Sequence, residues 1–210
     1  MATVKGPLFS IGASGTLGGA IVFSTWKGRP YVRQHAVPAN PQSAGQLSIR
    51  AMLRFLSQYW DSLTDVQKAD WETRAAPDNI SPFNAYVQYN LRRWGTNLNP
   101  SKLDPATNDG TPGTISAFSA TASSRSILLS ATISSHDDNW GIKIYRGDDT
   151  GMGVTRNELV YVLPAEDTAT FTWLDFPLTA GVAVYYRCTP VDDTGVDGTV
   201  GSEVVATPTA

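Results

Sequence analysis

The residues able to do chemistry are few and scattered. The 210-residue chain has one cysteine, Cys188, and two histidines, His35 and His136, so soft metal ligands are poorly supplied. A lone cysteine excludes an internal disulfide framework and a multi-cysteine metal site. No serine or cysteine stands in a nucleophile motif such as G-x-S-x-G, and the two histidines fall far apart in the sequence. Three acidic pairs, Asp137-Asp138, Asp148-Asp149 and Asp192-Asp193, sit among turn residues. Oxygen-rich loops can hold Ca²⁺, but none has the EF-hand spacing, and aspartate is an ordinary turn former. The tract Gly12-Ala13-Ser14-Gly15-Thr16-Leu17-Gly18-Gly19 is rich in glycine but lacks the G-K-[ST] that closes a phosphate loop onto a helix. The sequence predicts neither enzyme nor cofactor.

The chain is organised around the stretch Gly12–Gln46. Its glycines lead into the apolar run Ala20-Ile21-Val22-Phe23, then Trp26-Lys27-Gly28-Arg29 and Tyr31-Val32-Arg33. This spacing predicts a β-hairpin or β-arm with its turn at or near Lys27-Gly28. A glycine-rich arm lets backbones approach closely, and free strand edges can add to another sheet. Ile21, Phe23, Trp26 and Tyr31 are the expected anchors of an assembly interface, with Lys27, Arg29 and Arg33 as charged residues beside them. Arg50, Arg54, Arg92, Arg93 and Trp94 extend a basic and aromatic set that could stack on nucleic acid, but no recognised nucleic-acid module contains them, and solvated faces or inter-subunit ion pairs are the commoner use.

Composition agrees with a folded chain. Apolar residues make up 41%, a globular value. The longest apolar run of the N-terminal half is four residues, so no membrane span and no secretory signal are expected. Charge is unevenly spread. Residues 1–105 hold 11 Lys+Arg against 6 Asp+Glu, a net of +5, whereas residues 106–210 hold 5 against 13, a net of −8. The split suggests two modules, with an acidic protein surface as a fitting partner for the basic one.

The elements follow from periodicity. Asn40-Pro41 reads as a helix start, and Ile49, Met52, Leu53, Leu56, Tyr59, Trp60 and Leu63 recur at three- and four-residue steps, which predicts a helix from about Pro41 to Leu63. Thr64 followed by Gln67 makes a capping box for a second helix of roughly ten residues. Ser81-Pro82 starts a third, and Gly95 is placed to cap its end. Trp60, Trp71 and Trp94 would form a small aromatic core. The leader 1–11 offers Leu8 and Phe9 for local packing.

Residues 95–113 are polar and rich in proline, asparagine and glycine, which predicts a linker centred on 106–113. Beyond it, short strands are expected at 114–121, 126–133, 140–146, 159–163, 169–174, 182–189 and 198–207, a spacing that suggests an immunoglobulin-like sandwich. The expected class is therefore an α+β N-terminal domain (β-arm plus three helices, residues 1–105), a linker (106–113) and an all-β sandwich (114–210).

Two resemblances add to this. The run Gly181-Val182-Ala183-Val184-Tyr185-Tyr186-Arg187-Cys188, a loop with Gly195, and Ser202-Glu203-Val204-Val205-Ala206 resemble the end of a fibronectin type III domain, with Val184 at the family's tyrosine-corner position. The patterns W-K-G-R-x-Y-V-R (Trp26 to Arg33), N-P-x-S-x-x-Q-x-x-x-R (Asn40 to Arg50), L-T-x-x-Q-x-x-x-W-x-x-x-A (Leu63 to Ala75) and F-N-A-Y-V-x-x-N (Phe83 to Asn90) resemble structural proteins of tailed bacteriophages. That second resemblance implies a virion protein made in the host cytoplasm, with other capsid or tail proteins and further copies of itself as partners. The expected role is accessory, on head or tail, the N-terminal half anchoring and the sandwich displayed. The alternatives are a head–tail or tail assembly protein, and an adhesion module binding a host-surface glycan. The glycan reading would use Trp140 as a stacking platform and the loops carrying Asp148, Asp149, Asp192 and Asp193; it requires Trp140 to be exposed.

Overall fold

The computed structural model describes residues 14–37, 39–134, 139–166 and 169–210. The leader with Leu8 and Phe9, and the loop residues His136, Asp137 and Asp138, lie outside them. The chain divides into two compact units, Met1–Pro41 and Gln42–Ala210.

The first unit is an antiparallel sheet of β1 (Gly15–Leu17), β2 (Ile21–Trp26) and β3 (Arg29–Gln34), in that order. The turn falls at Lys27-Gly28, as expected, with φ of +49° and +75°. Two successive positive φ values make the tight hairpin turn whose twist matches its strands. Of the glycine tract, Gly15–Leu17 pairs with Ile21–Phe23, and Gly18 and Gly19 take positive φ to turn the chain between them. Among the described residues, none of the three strands has a buried member.

The second unit carries α1 (Ala44–Tyr59), α2 (Asp65–Ala75), α3 (Pro82–Gly95) and seven strands. Helix α1 begins three residues later than the Asn40-Pro41 reading placed it. Gln42 has φ +48°, a left-handed conformation that a helix cannot pass through, so Ser43 takes the N-cap position instead. The Thr64–Gln67 capping box at α2 is present in both directions. At α3 the Ser81 hydroxyl accepts from the Asn84 N–H, with Pro82 in the first turn, and Gly95 is the last helical residue. Among the described residues, no helix is long and apolar enough to cross a membrane.

The strands are β4 (Thr114–Ser123), β5 (Ser126–Ser134), β6 (Asn139–Gly147), β7 (Leu159–Pro164), β8 (Thr170–Asp175), β9 (Val184–Asp192) and β10 (Val204–Ala206). They form two antiparallel sheets, β4-β5-β8 and β10-β9-β6-β7. Between them pack Ile127, Leu129, Ile133, Ile142, Ile144, Phe171, Val184, Tyr186 and Cys188. The architecture is thus α+β with a β-sandwich. The position read as a tyrosine corner does hold a buried Val184, and the buried hydroxyl bond comes from Tyr186, which donates to Asp175 Oδ2 at 2.7 Å.

The expected boundary at 106–113 does not separate helices from sandwich. One core holds Met52, Phe55, Leu56, Tyr59, Trp71, Tyr86 and Trp94 from the helices together with Trp140, Tyr145, Leu159 and Val162 from the four-stranded sheet. Gly141 makes this contact possible, because a Cβ there would lie 2.6 Å from Phe55 Cε2. Nor is the polar segment a free linker. Ser101 and Lys102 are buried. Asn90 brackets Ser101, donating to its carbonyl at 3.0 Å and accepting from its N–H at 2.7 Å, and the Trp71 indole donates to the Lys102 carbonyl at 3.1 Å. Farther on, Gly110 N–H donates to Thr194 Oγ1 at 3.0 Å and Gly113 N–H to Asn139 Oδ1 at 2.8 Å. The asparagines and serines that suggest flexibility are the partners that satisfy a packed strap's backbone.

Candidate functional site

The arm is the surface that the rest of the chain leaves unexplained. In an antiparallel ladder, directly opposed residues share a face. The register pairs Leu17 with Ile21, Phe23 with Val32 and Thr25 with Pro30. Since alternate residues point the same way, Leu17, Ile21, Phe23, Thr25, Pro30, Val32 and Gln34 form one face, without a charge. The opposite face carries Thr16, Val22, Ser24, Trp26, Arg29, Tyr31 and Arg33. Lys27 stands in the turn with Nζ 4.9 Å from the centre of the Trp26 ring, a cation–π contact.

The expected anchor set therefore divides. Ile21 and Phe23 lie on the uncharged face, whereas Trp26, Tyr31, Arg29 and Arg33 lie on the basic aromatic one. Sequence reading missed Leu17 and Val32, which complete the apolar face and are 61% and 52% exposed. Alternation along β2 and β3 carried that signal; the glycines around Leu17 concealed it. A three-stranded sheet showing Leu17, Ile21, Val32 and Trp26 to solvent has no core of its own. Among the described residues, β1 and β3 are the two edges of this sheet, the places where a further strand could add. Such a surface can recruit apolar or β-structured protein on one side and acidic groups on the other.

The loop residues proposed for ligand contact are placed differently. Trp140 is completely buried, its ring 4.7 Å from that of Phe55 and 5.5 Å from that of Tyr59, so it is a packing residue and not a platform. Asp192 is also buried. Its Oδ1 accepts from the Gly195 and Val196 N–H groups at 2.8 and 2.6 Å, and its Oδ2 accepts from the Thr194 hydroxyl at 2.9 Å, so it closes its own turn. Asp193 is half-buried, and its carbonyl accepts from Lys102 N–H and the Ser101 hydroxyl. Asp148 and Asp149 are exposed, Asp148 bordering a shallow hollow with Arg146, Pro177 and Val182. These residues do not converge. Among the described residues, no three His, Cys, Asp or Glu side chains are grouped to hold a metal ion.

The structure adds one polar cluster that the sequence hid. Lys143 is buried in β6, where its ammonium pairs with Asp197 and donates to Asn99 Oδ1 at 2.6 Å. It also lies 5.6 Å from the Trp94 ring centre and 5.9 Å from that of Tyr145. Burial lowers its pKa, and the Asp197 carboxylate opposes that shift. The hollow above it, about 210 Å³, is bordered by Asn97, Thr155 and Arg156. Partners 44 and 54 residues away cannot be inferred from spacing. The Cys188 thiol, walled into the sandwich, is pushed up to about 12 by burial and is no nucleophile at neutral pH.

Comparison with solved structures finds local likenesses. A β-1,2-glucanase from Parabacteroides distasonis is 24% identical over 48% of this chain and 14% of its own, with a TM-score of 0.36. An Fn3-like protein from Clostridium thermocellum is 17% identical over 48% of this chain and 97% of its own, also at 0.36. No curated protein matches the sequence. Residues 12–172, from the arm through the helices to β8, match one protein family continuously, and the chain belongs to it: a family of unknown function, DUF6266.

Proposed function

We propose that this chain is a structural component of a tailed-bacteriophage particle, an accessory piece of head or tail that docks by its N-terminal arm and carries a fibronectin type III-like domain. The observation that carries the reading is the sheet Gly15–Gln34, whose apolar side chains Leu17, Ile21 and Val32 are exposed and whose edges pair with no further strand among the described residues. A sheet of this kind becomes stable by packing on a neighbouring chain or adding to its sheet. The resemblance of Trp26–Arg33, Asn40–Arg50, Leu63–Ala75 and Phe83–Asn90 to phage structural proteins supplies the particle. For the finer fold, the support is the strand order β4-β5-β8 against β10-β9-β6-β7, which is that of a fibronectin type III sandwich. The anchoring element is smaller than the sequence suggested. It ends near Pro41, and the helices belong with the displayed body.

The test is antibody labelling of purified phage particles with serum against residues 114–210, viewed by electron microscopy. It is paired with a chain whose arm residues Leu17, Phe23, Tyr31 and Val32 are all changed to serine. Label on head or tail that disappears with the altered arm is the expected result. Particles that carry the altered chain in full amount overturn docking by the arm, and particles that never contain the chain overturn the virion role.

A further inference from the structure

Resting on the docking role of the arm, we infer that its uncharged face packs against the same face of a second copy of this chain, so that the arms associate with one another and hold the protein as an oligomer. The two faces of the sheet differ in what they can accept. Arg29, Arg33 and Lys27 give one side three cations, and the described part of the arm contains no carboxylate. Two arms approaching through that side would bring like charges together. Leu17, Ile21, Phe23 and Val32 present no charge, so two copies of that face are complementary without any adjustment, and their pairing leaves both basic faces outward.

Geometry favours the same partner. A sheet face can pack on another sheet, at about 10 Å. The unit Gln42–Ala210 uses its own sheets otherwise: helices cover β6 and β7, and the outward side of β4-β5-β8 is mostly hydroxylic. Ser119, Ser130, Thr132, Thr170 and Thr172 lie there, with Ser119 and Ser130 bonded to each other at 2.9 Å. Two strands about 20 Å long and a third of about 10 Å, spaced about 4.8 Å apart, give a face of roughly 240 Å². A stable two-body interface takes about 800 Å² per partner, so one face-to-face pairing is small. An arrangement in which each arm meets more than one other, by the face and by the edges of β1 and β3, covers both edges of the described arm and suits this size.

The experiment measures the mass of the purified full-length chain by light scattering and sedimentation equilibrium over a dilution series. The wild-type chain is compared with Phe23→Lys and Val32→Lys on the uncharged face, and with Arg33→Ser on the basic face. The expected result is an oligomer that Phe23→Lys or Val32→Lys weakens at least about tenfold. Arg33→Ser should leave it intact, and near-ultraviolet circular dichroism of the buried tryptophans should stay unchanged in all variants. A wild-type chain that stays monomeric at its highest soluble concentration overturns the inference, as does an oligomer that survives both lysine variants. If that monomer still enters particles through its arm, docking on a different protein stands and only self-association falls.

Discussion

Gly141→Ala should damage the helix–sheet contact without touching either element's own hydrogen bonds. A methyl group there would lie 2.6 and 2.7 Å from Phe55 Cε2 and Cζ, and 3.3 Å from the Leu163 carbonyl oxygen. Those ring atoms must retreat, and they are wedged against Tyr59 and Trp140. Overpacking of this kind costs about 1–3 kcal/mol. For a unit of this size, about 2 kcal/mol corresponds to a fall in Tm of about 4–8 °C. Phe55→Leu removes the clashing atoms, so Gly141→Ala introduced into that background should cost less by about 1 kcal/mol or more. Urea unfolding of the four chains, followed by tryptophan fluorescence and by far-ultraviolet circular dichroism, completes the cycle. Additive effects within about 0.5 kcal/mol would refute a core shared between α1 and β6. So would helices that melt at a different midpoint from the sandwich.

Three further results are expected. Tyr86, Tyr145 and Tyr186 are buried and hold their protons well above the ordinary tyrosine range, burial being the main cause in each. The unfolded chain releases those protons near pH 10 while the folded chain keeps them, so their stabilisation is complete below that pH and is lost as pH rises above it, by about 1.4 kcal/mol per tyrosine per pH unit. Urea midpoints between pH 9 and 11 that do not fall would contradict this. Cys188 should resist a thiol-specific reagent at pH 8 until denaturant is added, and fast native labelling would show that the sandwich opens at β9. Asp197→Ala strips the buried Lys143 of its carboxylate and should cost about 1–3 kcal/mol, whereas Lys143→Met leaves only a half-exposed Asp197 behind and should cost less. The reverse ranking in denaturant titrations would mean that the ammonium is not the buried partner.

Elements were legible in the sequence where one residue pattern settles them. Six strands appear within about two to three residues of where alternation and turn residues predict them, the seventh, expected over 198–207, is only Val204–Ala206, and the Thr64 and Ser81 caps start their helices as read. What joins those elements was not legible. Trp140 follows four turn-forming residues at the head of a predicted strand, where the sequence leaves its exposure open, and it is α1 that covers it with Phe55 and Tyr59. Asn99, Ser101 and Lys102 have a linker's composition, but their partners lie on α3, β6 and the 192–197 turn. Polarity marks a segment as loop when its hydrogen bonds are unknown; here distant residues provide them. The sequence predicts a hairpin or arm and not a three-stranded sheet because Gly15–Leu17 is short and flanked by glycine, and the two faces follow only from the register.

The packing of α1 on the sandwich also decides how the molecule would carry a pull. The arm is joined covalently to the N-terminal end of α1, through Pro41 to Ser43. Tension on a docked arm therefore enters the body at that helix and not at a sheet edge. To lift α1 away, it must separate Phe55 from Trp140 and break the bond from the Glu166 N–H to the Tyr59 hydroxyl, 3.1 Å long. Because the strap and Trp71 hold the neighbouring helices to the same body, the helical layer acts as a washer, spreading a point force over the face of the four-stranded sheet.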